Sequence, residues 1–120
     1  MANEKRVTLK VVLDKGGFQQ QLDANLAEDF AGKNFLGIVQ TISTSWTAVN
    51  VTGLASVDLL AARNSDGTNY VELATANDGS GIFAKLTAGR GCFISANPSA
   101  TYYARANTAA CDVEFLSCEP

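Results

Sequence analysis

Histidine is absent from this 120-residue chain. Its absence removes at once the commonest general base and the commonest metal ligand. Any chemistry would have to come from three cysteines and twelve carboxylates. Cys92, Cys111 and Cys118 lack the paired ligand spacing of a zinc site, and no imidazole is available to activate a thiolate. Their odd number fits reduced, buried thiols. The alternative is a disulfide within or between subunits, drawn from Cys92, Cys111 and Cys118 and formed in an oxidising medium. Asp112 and Glu114 stand two apart, so a strand would set both on one face, where paired carboxylates can do acid–base work. On a terminal strand, expected at a sheet edge, they read instead as charge that discourages edge pairing. Arg63 and Arg105 are their candidate partners, across the sheet or from a neighbouring subunit. Asn77-Asp78-Gly79-Ser80-Gly81 lacks the alternating carboxylates and the distal glutamate of a calcium loop. Gly79-Ser80-Gly81 and Gly89-Arg90-Gly91 precede no helix and no Gly-Lys-Ser/Thr, so they are turns and not phosphate loops. These residues predict no enzyme, no metal and no cofactor.

The elements that must carry these residues are strands. Val7, Leu9, Val11 and Leu13 alternate with Thr8, Lys10 and Val12, the period of a strand with one buried face. Asp14-Lys15-Gly16-Gly17 is a turn by composition, and Phe18–Leu22 is the candidate returning strand of a hairpin, wetted by its glutamines. Residues 22–34 are ambiguous. Leu22, Leu26 and Phe30 fall at helical spacing, while Asn25, Gly32 and Asn34 favour an extended arm. From Phe35 onward the pattern is β throughout, with candidate strands at 36–43, 46–51, 57–63, 70–75, 82–87, 92–96, 102–106 and 112–118. The turns between them include Thr52-Gly53, Ser65-Asp66-Gly67 and Asn97-Pro98-Ser99. Many short strands at this spacing predict an all-β fold, an antiparallel β-sandwich or jelly-roll-like domain. The length fits one domain, with 1–34 as an interaction arm or hairpin and 35–120 as the sandwich core. In the core, Val113, Phe115 and Ser117 are set against Asp112, Glu114 and Leu116.

Composition narrows the partners. Charged residues are 18% and the net charge is −3, which suits a protein that hides surface against neighbours, and so a homo-oligomer. The basic residues do not cluster beyond Lys5-Arg6, which argues against direct nucleic-acid binding. No apolar run approaches the length of a membrane span, and the first six residues lack the apolar segment of a signal peptide. Synthesis in a cytoplasm is the expectation. The interaction candidates are Val7, Leu9, Phe18 and Gln20 in the N-terminal third, where strand addition to a neighbouring sheet would tolerate a polar sequence. To these are added Trp46, Tyr102, Tyr103 and Arg105 in the β-domain. Trp46 is a core or an interface anchor. The Tyr102-Tyr103 pair places one ring on each face of its sheet.

Three segments carry a resemblance. Arg63-Asn64-Ser65-Asp66-Gly67-Thr68-Asn69-Tyr70-Val71-Glu72-Leu73 is similar to an "RN-x-D-x-TNYVE" pattern in small structural proteins of tailed bacteriophages. Leu86-Thr87-Ala88-Gly89-Arg90 resembles their "L-x-x-G-E" turn. Tyr103–Leu116 resembles their C-terminal "YAKANTAAVxLEYL" strand. The resemblance covers mostly residues 36–118 and is weaker over 14–35. It implies a β-sandwich virion component without enzymatic activity, a capsid decoration or cement protein whose partner is the major capsid protein. The alternative is a tail, collar or fibre component that binds another phage protein or a host-surface glycan. The three cysteines stand where aliphatic residues are usual in that family.

Overall fold

The computed structural model describes residues 4–29, 34–96 and 100–120. Two compact units divide the chain, Met1–Ala31 and Gly32–Pro120. Among the described residues every regular element is a strand.

The first unit is a single hairpin. Strand β1 (Lys5–Lys15) pairs antiparallel with β2 (Phe18–Glu28) without a register break, from Lys5↔Glu28 to Lys15↔Phe18. The two-residue loop is Gly16-Gly17, at φ 61° and 86°. Positive φ at both central residues is what a type I′ turn demands, and its twist matches that of the paired strands. Of the two expectations for residues 22–34, the extended one holds as far as Glu28 and the helix does not form. The backbone of Leu22–Glu28 is bonded to β1, so tertiary pairing overrides a three-residue helical spacing. Phe30 and residues 31–33 lie outside the described residues.

Among its described residues the second unit holds eight strands. They are β3 (Phe35–Ile42), β4 (Thr47–Ala48), β5 (Leu59–Asn64), β6 (Val71–Ala74), β7 (Ile82–Leu86), β8 (Gly91–Ser95), β9 (Tyr103–Ala106) and β10 (Cys111–Cys118). Each lies on an expected segment. The segment 46–51 shrinks to the two residues of β4, and the turn expected at 97–99 lies outside the described residues. The eight pair in nested fashion, β3 with β10, β4 with β9, β5 with β8 and β6 with β7. That is one long hairpin folded over on itself. Pairing of β10 with β5 and of β6 with β9 then completes two sheets, β3-β10-β5-β8 and β4-β9-β6-β7. This strand order is that of a jelly roll.

Burial follows from the alternation. Along β10 the pattern puts Cys111, Val113, Phe115 and Ser117 inside and Asp112, Glu114 and Leu116 outside. Ile42, Leu60, Ala62, Val113 and Phe115 of one sheet meet Val71, Leu73, Leu86, Ala104 and Ala106 of the other in a single apolar cluster. Face-to-face packing of two such inner faces is what removes the apolar surface from water.

The order also corrects the placement of the last strand. β10 runs in the interior of its sheet, between β3 and β5. Asp112 and Glu114 therefore guard no edge. The nested topology returns the C-terminal strand to pair with the first strand of the sandwich, and the third closes on its other side.

Candidate interaction surfaces

The paired carboxylates of β10, Asp112 and Glu114, are each held by a neighbour. Thr41 Oγ1 donates to Asp112 Oδ1 at 2.7 Å. Arg63 Nε lies 3.0 Å from Glu114 Oε2, and Arg105 Nη2 lies 2.9 Å from Glu72 Oε1. Arg63 is thus the cross-strand partner expected for Glu114, while Arg105 serves the other sheet. Among the described residues no group of three or more cysteines, aspartates or glutamates could hold a metal.

All three cysteines are in the thiol form, none in a disulfide, and they sit in one sheet. Cys111 and Cys118 are the ends of β10, roughly 23 Å apart at strand rise. Cys92 pairs with Ala62, which pairs with Phe115, so it lies two strands and several residues from either, about 14–16 Å. A disulfide needs its Cα atoms within about 7 Å. The register therefore excludes a bridge between any two of Cys92, Cys111 and Cys118 of one chain. Desolvation pushes the Cys92 thiol up, against a weaker backbone hydrogen bond from Ala62. Burial first, then the carboxylates of Asp66 and Asp112, push Cys111 up. Both are held as inert neutral thiols, the reverse of an activated nucleophile.

The three segments that carry the phage resemblance converge on one corner. Asn64 is fully buried. Its Nδ2 donates to the carbonyls of Asn69 and Leu86, at 2.8 and 2.9 Å, and its Oδ1 accepts from Asp66 N. Its backbone bonds Arg90 and Gly89. Asp66 Oδ2 accepts from the N–H groups of Thr68 and Asn69. Those bonds, led by the one from Asn69, hold its carboxyl below the usual range. Asn69 Oδ1 accepts from Thr108 Oγ1, and Tyr70 N donates to Asn107 Oδ1. The signature residues thus knit the β5–β6, β7–β8 and β9–β10 connections together. A second such tie, unmarked in the sequence, is the buried Glu119. Its carboxylate accepts from Asn34 N at 3.2 Å and Ala55 N at 2.7 Å.

What remains for function is surface. In the hairpin, register places Val7, Leu9, Val11 and Leu13 on the same face as Leu26, Ala24, Leu22, Gln20 and Phe18. The four candidates Val7, Leu9, Phe18 and Gln20 therefore share one face. Toward the tip that face is bare, with Phe18 83% and Leu13 66% exposed. Gln19 and Gln21 lie on the opposite face, with Lys10, Asp14 and Asp23. At the base Lys5 Nζ lies 3.4 Å from Glu28 Oε1.

The two sheets of the sandwich present unlike outer faces. On β4-β9-β6-β7 a row runs Lys85, Glu72, Arg105 through directly paired positions. Its ends are capped by rings, Lys85 Nζ 4.2 Å from the Tyr70 centroid and Arg105 Cζ 4.6 Å from that of Trp46. Cations over aromatic faces are favourable electrostatically. Trp46 is half-buried on this outer face and takes no part in the core. Thr47 pairs with the buried Ala104, so its neighbour must point outward. Tyr103 shares that outer face, opposite Ala48. Tyr102 packs on the core and meets Phe83 edge-on at 5.9 Å. The expected division of the two tyrosines holds in direction, although both are half-buried.

The outer face of β3-β10-β5-β8 is mixed: Asp112 with Thr41 and the Glu114–Arg63 pair beside Val39 lie toward one end, and an apolar strip lies toward the other. Leu116 lies opposite Gly37 on β3 and Ala61 on β5, and Ala61 lies opposite Phe93 on β8. Phe35, Val39 and Leu116 are 69%, 61% and 57% exposed. Sequence reasoning missed this patch because it assigned outward positions of β10 by their charges. The outward positions of β3, Phe35, Gly37 and Val39, were the available signal.

No family model, curated protein or solved structure matches this chain.

Proposed function

We propose that this chain is a non-enzymatic virion structural protein of a tailed bacteriophage, a decoration or cement protein that binds the major capsid shell. The observation that carries the reading is the division of labour in the chain. A jelly roll whose signature residues Asn64, Asp66 and Asn69 hold one corner is joined to a ribbon with a bare apolar face toward its tip that, among the described residues, pairs with no third strand. Jelly rolls serve in viral capsid and lectin domains, though fold by itself supports function only by analogy. The edges of β1 and β2 could extend a sheet of a shell subunit by strand addition. Binding to the shell would stabilise it by mass action. Tail or fibre placement is the second reading. Its glycan form has less support, because the Trp46 ring that would stack on a sugar is already covered by Arg105.

Immunogold labelling of intact virions tests the location. Label over the whole head is expected, and label confined to the tail or one vertex would overturn the decoration reading. Removing residues 1–17 is expected to lower head occupancy while the sandwich stays folded. Unchanged occupancy would count against the ribbon as the shell contact.

A further inference from the structure

We infer that the ribbon works through one of its two edges: β2 takes an extended strand of the shell protein, and β1 is the guarded side. This rests on the shell-contact reading above and adds to it which edge pairs and what kind of strand fits there.

Backbone geometry defines the two edges. The Gly16-Gly17 loop makes Lys15↔Phe18 a hydrogen-bonded pair, and such pairs alternate along the ladder with non-bonded ones. On β2 the N–H and C=O groups of Gln19, Gln21, Asp23, Asn25 and Ala27 therefore point away from β1. On β1 those of Arg6, Thr8, Lys10, Val12 and Asp14 point away from β2. Among the described residues no third strand meets either row, and every residue of β2 but Leu26 is exposed.

The edges differ in their protection against pairing. Edge strands are blunted by lysine, by proline or by a bulge. β1 carries Lys5, Arg6, Lys10 and Lys15 beside Asp14. β2 has no lysine, arginine or proline, and its register with β1 is unbroken. Its polar face is rich in amides, and the one acid there, Asp23, accepts a hydrogen bond from Gln21 Nε2 at 2.6 Å. A strand added to β2 meets Gln19, Gln21 and Asp23 on one face and Phe18 and Leu22 on the other. The strand that fits alternates as β1 does, apolar toward Phe18 and Leu22. Toward Asp23 it is neutral or basic, since like charges directly opposite are destabilising. Its addition converts a marginal two-stranded hairpin into a three-stranded sheet with an apolar face, which can be stable by itself.

The test is amide hydrogen exchange of the full-length chain, free in solution and in purified virions. In virions the segment 18–28 should gain slow amides, those of the outward row of β2, while 5–15 exchanges as in the free chain. Added protection in 5–15, in both segments or in neither would overturn the inference wherever in the virion the chain sits, so this outcome is separate from the immunogold result. Absence of the chain from virions would overturn the shell reading and this inference with it. Two proline variants sharpen the contrast. Val12 and Gln21 face each other across the ribbon, and both N–H groups point outward, so proline at either leaves the β1–β2 ladder its bonds. Gln21→Pro should lower retention on virions about tenfold, the effect of one lost hydrogen bond whose partner is left bare. Val12→Pro should change it by no more than about twofold. Asn25→Lys and Thr8→Lys, also directly paired, should repeat the contrast without touching the backbone, because a lysine guards whichever edge it stands on. Equal effects within either pair, or a larger effect from the β1 variant, would overturn the inference.

Discussion

The hairpin and the sandwich are built from the same local pattern and end differently. Each has strands that alternate apolar and polar residues, and each is punctuated by turn glycines. In the sandwich the apolar face of one four-stranded sheet is covered by the other, so Val71, Leu73, Val113 and Phe115 are buried. The hairpin is one two-stranded sheet with no second layer of its own, so Phe18 and Leu13 stay in water. Alternation marks a strand with one apolar face; whether that face becomes core or interface depends on what lies across from it. The lesson repeats within the sandwich. Ring-capped cations flank an ion pair on one outer face, while the other sets exposed Phe35, Val39 and Leu116 beside the Arg63–Glu114 pair.

The sharpest way to break this comparison is to delete the same ring from both units. Phe115→Ala should cost about 3–5 kcal/mol, as a cavity in a packed core does. Phe18→Ala in the monomeric state should cost less than about 0.5 kcal/mol, as at other exposed sites. Urea unfolding of both variants measures the difference, and similar costs would mean that the hairpin face is buried.

Asn64→Ala comes next. It strands the carbonyls of Asn69 and Leu86 inside the corner, and each buried unsatisfied group costs about 1–3 kcal/mol. The loss should appear in cooperative unfolding of the sandwich and leave hairpin amide exchange unchanged.

The converse substitution is Gly17→Val. At φ 86° a side chain costs about 1–2 kcal/mol. Faster exchange of hairpin amides is expected, with no shift in the sandwich midpoint.

Arg105→Ala removes the Glu72 pair and the Trp46 stack. Both are partly solvated, so about 0.5–1 kcal/mol is expected. A larger loss would mean that this outer face is covered in solution.

The smallest effect is on pH. The half-buried Cys92 and buried Cys111 thiols have raised pKa values, so above the ordinary thiol value the unfolded chain loses protons that the folded chain keeps. Sandwich stability should therefore fall as pH rises past about 8.5 and go on falling until the folded thiols titrate. Cys92→Ala with Cys111→Ala should flatten that slope. The hairpin holds no cysteine and should not share it.

The sequence by itself determined that the chain is all-β, where each of the sandwich strands lies, and which side of β10 faces in. Period-two alternation and turn residues are local signals, and local signals suffice for these. They sufficed also for the turn over Asp14–Gly17, while the register of β1 with β2 brought Val7, Leu9 and Phe18 to one face. Only the tertiary structure decided what depends on distant pairing. The interior position of β10 turned Asp112 and Glu114 from edge guards into cross-strand partners. The register of β4 with β9 sent Trp46 outward, onto Arg105. The separation of Cys92, Cys111 and Cys118 along and across one sheet excluded an intrachain disulfide. Asn64 became the hub of three segments spread over some fifty residues. A residue's own alternation fixes which face it takes; what it meets there is set by strands remote in the chain, and no local pattern encodes them.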